Sequence, residues 1–239
     1  MLIKLIKAVE IIFNLAFPAV CYNCNRRISI QKECLCHNCL TYLERKKGLL
    51  KGEDELGERY FYKVASLYDY GHISRELIHI YKYKSIKKIG YFLANKAIEV
   101  LKSEYLEFIN VDGILAVPMH KKRYQERHLD QARLLTSIIS KSLKIKDLSS
   151  MIVKNTNSPK QALLDFEARL KNPINSFKIK NEKVFKDKTL LVIDDIFTTG
   201  ATANALCKEL ITYGAKRIYV FVIAAGSVGQ NYKLRKIRP

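Results

Sequence analysis

Two neighbouring carboxylates, Asp194 and Asp195, stand between an unbroken apolar run, Leu190 to Ile193, and a small hydroxylated loop, Thr198-Thr199-Gly200-Ala201-Thr202. The apolar run has the pattern of a strand covered on both faces in a parallel sheet. The stretch after the loop, Ala203 to Tyr213, reads as a helix. That order builds a site at the carboxyl end of a sheet. Gly200 lets the backbone turn and approach a ligand closely. The amides of residues 199–202 then face an anion at a helix N-terminus, where partial positive charge favours phosphate. The hydroxyls of Thr198, Thr199 and Thr202 can donate to further phosphate oxygens. Carboxylates are poor phosphate ligands, so Asp194 and Asp195 suit either sugar hydroxyls or positive charge developing on a ribose ring. Phosphate at one end and a cis-diol at the other describes a ribose 5-phosphate. No lysine follows the glycine, so a nucleoside-triphosphate P-loop fits poorly.

A second group of reactive residues lies near the N-terminus, in Cys21-Tyr22-Asn23-Cys24 and Cys36-His37-Asn38-Cys39. Two Cys-x-x-Cys pairs about a dozen residues apart can close four thiolates around one tetrahedral zinc. Such a site is closed, so the zinc would be structural. The rival is a pair of disulfides or redox pairs, which the cytoplasmic look of the remaining chain disfavours. Cys34 and Cys207 stand outside the set.

The remaining elements must position these groups. At 239 residues the chain can hold one α/β domain with a small appendage, and 48% hydrophobic content is ample for a core. Residues 1–46 read as an amphipathic helix followed by the cysteine unit, 47–60 as a linker, and 61–239 as the main domain. Lysines interrupt the apolar positions of Met1 to Val20, which favours a packed or surface-lying helix over a signal peptide. Nothing else is long enough to span a bilayer, so membrane contact would be peripheral. Strands are expected at Lys63–Tyr70, Gly113–Val117, Ser149–Val153 and Ile218–Ala224. Helices should carry Ile73, Leu77, Ile80 and Tyr81, then Ile89, Leu93, Ala97 and Val100, on their inner stripes. The net charge of +19 permits a nucleic-acid, membrane-surface or polyphosphate partner, and a lysine-rich coding bias explains it equally. The run Tyr81 to Lys88 can stack bases and track a phosphate backbone, or be a solvated helix end. The cationic loop after Val117, with His120, Lys121 and Arg123, followed by Arg127, is where a pyrophosphate could sit.

Val192 to Thr202 resembles the PRPP-binding signature of the type I phosphoribosyltransferases at nearly every position. The whole chain resembles the ComF family. Phe17-Pro18 before the first cysteine pair, the four-cysteine unit, Tyr81-Lys82-Tyr83, the Val117-Pro118 loop and the final motif come in that family's order. Where the family usually has Arg-Gly-Phe-Asn-Gln, this chain has Arg127-His128-Leu129-Asp130-Gln131. Thr156, Gln161, Arg169 and Asn172 match a later pattern. The resemblance implies a type I phosphoribosyltransferase-like parallel sheet flanked by helices, with an N-terminal zinc-ribbon-like unit. It implies a cytoplasmic protein that binds PRPP with Mg²⁺, with Asp194 and Asp195 catalytic if it turns over. It also implies a link to DNA uptake in natural competence. Three readings stand: a phosphoribosyltransferase, a PRPP- or nucleotide-sensing module without turnover, and a handler of single-stranded DNA within the competence machinery.

Overall fold

The computed structural model describes residues 19–28, 33–44, 48–50, 59–154 and 177–226. The N-terminal helix expected over residues 1–18, most of the linker, the segment carrying Thr156, Gln161, Arg169 and Asn172, and the basic tail lie outside the described residues. The described residues form seven strands: β1 Gly48–Leu50, β2 Lys63–Asp69, β3 Gly113–Ala116, β4 Ile152–Lys154, β5 Phe177–Ile179, β6 Thr189–Phe197 and β7 Arg217–Ala225. Among the same residues lie seven helices: α1 His37–Glu44, α2 His72–Tyr83, α3 Lys87–Glu104, α4 Leu106–Ile109, α5 Lys121–Arg127, α6 Gln131–Leu143 and α7 Ala201–Thr212.

The main sheet runs β1-β2-β7-β6-β3, with β2, β7, β6 and β3 mutually parallel and β1 antiparallel on the edge. Alternation along β6 sorts its side chains between two layers. Leu191 and Ile193 face Leu77, Tyr81, Leu93 and Leu135 of α2, α3 and α6, whereas Leu190 and Val192 face Leu206 and Leu210 of α7. Helices on both faces explain why these strands are apolar without interruption. The cysteine unit joins the first layer: Cys21, Cys34, Leu35, Cys39 and Leu43 belong to the same apolar cluster as α2 and α3.

Three sequence expectations change. Residues 48–50, inside the expected linker, form an edge strand on β2. Ser149–Val153 does not join the main sheet; Ser149–Met151 is a 3₁₀ turn, and β4 pairs only with β5 in a separate two-stranded sheet. The acidic pair does not end its strand, because β6 continues to Phe197. What ends there is its neighbour. β3 pairs with β6 only as far as Ala116 against Ile193, with one further bond from Val117 N–H to the Ile193 carbonyl at 2.9 Å. β7 carries on, pairing Val222 with Asp194 and Ala225 with Phe197. One flank of β6 therefore opens just where the carboxylates begin. Among the described residues no helix is long and apolar enough to cross a membrane.

Candidate functional site

A cavity of about 280 Å³ fills the notch left by β3, and both Asp194 and Asp195 line it. Strand alternation sends the two side chains to opposite faces of β6, and the end-on opening lets both reach one space. Thr198 and Thr202 come from the loop and the first turn of α7; His120, Arg123 and Arg127 come from the opposite wall. Of the sequence candidates, Lys121 faces an adjoining larger cavity instead. Thr199 and Ala201 are exposed beside the site, and Gly200 is buried beneath it. Gly200 takes φ +74°, the left-handed conformation that favours glycine, as the cap of α7.

The opposite wall is where the chain departs from the family pattern. His128, where the family pattern has glycine, adopts the left-handed backbone at φ 53° and closes α5. Histidine is among the side chains that tolerate this region. Asp130, in place of asparagine, caps α6 by accepting from the Arg133 N–H at 3.0 Å. His120 caps α5 by accepting at Nδ1 from the Lys122 N–H at 3.2 Å, which leaves Nε2 as the neutral ring's donor.

Lys82 was legible in the sequence only as part of a basic run, yet it belongs to this site. Its Nζ lies 2.9 Å from Asp195 Oδ2, and both side chains are about one-sixth exposed. Gln131, fully buried, fixes the backbone that carries it. Gln131 Nε2 donates to the carbonyls of Tyr81 and Lys82 at 3.4 Å, and Tyr81 Oη donates back to the Gln131 carbonyl at 3.0 Å. Gly90 makes room for this clamp, since a Cβ there would meet Tyr81 Oη at 2.7 Å. Tyr81 is thus a core residue, unavailable for stacking on bases; Tyr83 is the exposed one, with the Arg127 guanidinium 5.3 Å from its ring centroid. Lys154, at the end of β4, is a second cation of the cavity that the sequence did not single out.

Burial, then the adjacent Asp195 carboxylate, push Asp194 up to about 8 against the opposing pull of the Asp195 N–H, Lys82 and Lys154. The folded chain therefore holds a proton on Asp194 across a pH range in which the unfolded chain, with its ordinary value of 3.8, has released it. This contribution to stability is complete below that ordinary value and is lost as pH rises through about 8. Asp194→Asn cannot ionise, so it should gain on the parent as pH rises. We expect its melting temperature to exceed the parent's by several degrees at pH 9, at about 2–4 °C per kcal/mol for a chain of this size. The difference should shrink towards pH 5. A difference that stays constant between those pH values would show that Asp194 does not titrate there.

In the cysteine unit, Cys21, Cys24, Cys36 and Cys39 converge with all four sulfurs within 4.8 Å of one another. A zinc tetrahedron with bonds of about 2.3 Å needs sulfurs about 3.8 Å apart, and Cys24 and Cys36 stand at 3.6 Å. Asn23 Nδ2 donates to Cys39 Sγ at 3.3 Å, the kind of outer contact that orients a metal-binding sulfur. Burial raises Cys21, but backbone N–H donors from Cys24, Cys36 and Asn23 outweigh it and bring the thiol down to about 7. The cluster is compatible with structural zinc. Cys34 instead points at the Lys88 carbonyl, 3.9 Å away, and Cys207 is buried in the α7 layer.

The profile of the phosphoribosyl transferase domain matches residues 85–236. A Haemophilus influenzae protein named competence protein F is 31% identical over 116 residues, covering 47% of this chain and half of that one. The DNA utilization protein YhgH of Escherichia coli O6:H1 is 24% identical over 163 residues, covering 67% of this chain and 71% of that one. Its namesake in Salmonella typhi is 23% identical over 224 residues, 87% of this chain and 98% of its own. Among solved structures, the Trypanosoma brucei adenine phosphoribosyl transferase has a TM-score of 0.41 at 11% identity, covering 84% of this chain and 85% of that one. That likeness is too loose to carry any residue's role across.

Proposed function

The chain belongs to the phosphoribosyl transferase domain family, in its ComF branch, and we propose that its cavity binds PRPP or a closely related ribose 5-phosphate ligand. The observation that carries this reading is the convergence of Asp194, Asp195, Thr198 and Thr202 on one small cavity whose far wall is cationic. Phosphate would rest on the loop and first turn of α7, and ribose hydroxyls would donate to the carboxylates. Arg123, Arg127 and His120 stand where a diphosphate would extend. Mg²⁺ would arrive with that diphosphate and offset its charge. The cysteine cluster would hold one structural zinc.

Should the protein turn over, pyrophosphate leaves as C1 gains cationic character, and negative charge fixed beside the ring, on Asp195 and on Asp194 once it ionises, lowers that barrier. Lys82 then has a defined part: paired with Asp195, it holds one carboxylate in place and tempers its charge. That same pairing favours the second reading, a sensing module, because a compensated carboxylate stabilises a cation less. The names of the relatives support a role connected with DNA uptake, served by either reading.

Isothermal titration with PRPP and Mg²⁺, followed by assay of released pyrophosphate across the purine and pyrimidine bases, tests the proposal. Asp194→Asn with Asp195→Asn should weaken binding modestly, since amides still accept hydrogen bonds. An enzyme would lose far more in turnover than in affinity. Equal losses would assign the site to sensing, and absence of PRPP binding by the parent would refute the proposal.

A further inference from the structure

The small cavity is not closed behind Lys154. It shares Pro118, Met119, Asp130 and Lys154 with a second cavity of about 910 Å³, between α5, the start of α6 and the paired strands β4 and β5. The second cavity has two distinct surfaces. Leu129 and Ile152 are buried apolar residues that, with Val153, Pro118 and Met119, give it an apolar floor. Its rim carries Lys87, Lys121, Lys178 and Arg133, with the exposed ring of Tyr124 among them.

Charge in this space is one-sided. Among the described residues Asp130 is its one acidic lining residue, and it is committed twice: it caps α6, and its Oδ2 lies 3.7 Å from Arg133 Nε. Burial raises its carboxyl above the ordinary value, against the pull of the Arg133 N–H and guanidinium. Lys154 is half-buried at the junction of the two cavities, and no carboxylate lies within ion-pair distance of it among the described residues. Burial and the neighbouring Arg123 both disfavour its charge, and Asp194 offsets them only in part. A cation held in such a place gains most from an anionic ligand.

An apolar floor with a cationic rim suits a ligand that has a flat apolar body and an anionic end. The volume lies within the range of small-molecule sites and far exceeds what an inorganic phosphate needs. We propose that this second cavity binds a nucleoside monophosphate beside the ribose-phosphate site, its base on the Leu129–Ile152 floor and its phosphate on the lysine rim. The inference rests on the ribose-phosphate reading for the identity of the neighbouring site alone. It narrows the class of second ligand from a neutral base to a phosphorylated nucleoside.

The test is calorimetric titration of the full chain with AMP, in the absence of PRPP and at saturating PRPP with Mg²⁺. AMP should bind in both conditions, once per chain when PRPP is saturating, and adenosine should bind at least about tenfold more weakly, as expected for loss of one charge-assisted contact. Lys87→Met with Lys178→Met, both exposed, should weaken AMP about tenfold or more while leaving PRPP affinity unchanged. Thr198→Ala with Thr202→Ala should weaken PRPP and leave the second AMP event unchanged. Simple competition between AMP and PRPP, with no second event, would overturn the proposal, as would adenosine binding as tightly as AMP. Should PRPP fail to bind at all, AMP binding that depends on Lys87 and Lys178 would still establish the second site.

Discussion

Gly200→Val is expected to abolish binding of PRPP. The backbone at Gly200 has φ +74°, a region costing a side-chain-bearing residue about 1–2 kcal/mol and a β-branched one more. Space is the larger obstacle. A Cβ built at Gly200 would lie 2.4 Å from Phe197 Cζ and under 3.0 Å from a second ring carbon. Phe197 cannot yield easily, because it is buried, packs edge-on against Phe61 at 6.1 Å, and accepts from the Gly226 N–H through its carbonyl. The loop must therefore shift, and with it Thr198, Thr202 and the amides that would hold phosphate. A loss of about a hundredfold or more in affinity follows from displacing several phosphate contacts at once, each tenfold being 1.4 kcal/mol. Gly200→Ala meets the same ring with less bulk and should fall between the two. Titration calorimetry reads the affinity, and a melting curve separates a displaced loop from a failed fold. Parent-like PRPP affinity in a folded Gly200→Val chain would refute the phosphate-loop assignment.

Removal of metal from the cysteine cluster is the second large effect expected. Purified, reduced protein should contain about one zinc per chain, because four sulfurs within 4.8 Å form one tetrahedral set. Units this small draw about 10–16 kcal/mol of apparent folding free energy from zinc. Here the loss would spread beyond the unit. Cys21, Cys39 and Leu43 are part of the apolar layer formed by α2 and α3, and α2 carries Lys82 into the cavity. Cys21→Ser with Cys39→Ser should therefore lower the melting temperature of the whole domain and weaken PRPP binding too. Cys34→Ala and Cys207→Ala should keep the zinc. Metal analysis that finds none in fresh, reduced parent protein would remove the site.

What the sequence by itself determined is local or nearly so. The four-residue apolar run, the acidic pair, the glycine loop and the following helix are contiguous, so period and residue type were enough to read a strand, a loop and a helix N-terminus. The Cys-x-x-Cys pairs were legible for the same reason: the spacing inside each pair sets where two sulfurs point, and the four do meet. The phosphoribosyl transferase fold followed from a motif that lies along one strand-loop-helix.

Tertiary structure decided which distant groups share the cavity. Lys82 and Asp195 are far apart in sequence, and nothing in a Tyr-Lys-Tyr run tells that the first tyrosine is a core residue and the lysine an ion-pair partner. That outcome depends on α2 and α6 packing on the same face of the sheet as Asp195, with Gln131 clamping the end of α2. Strand order decided the rest. Because β3 stops at Ala116 while β7 continues, the carboxylates lie inside a strand yet line a cavity, where the sequence had them ending it. His128 shows the limit of pattern reading in the other direction: where the family pattern has glycine, the histidine itself takes the left-handed backbone that closes α5, a region histidine can tolerate. Local residue type governs what conformations a segment can adopt; which carboxylate meets which cation is set by long-range packing, and no spacing along the chain encodes it.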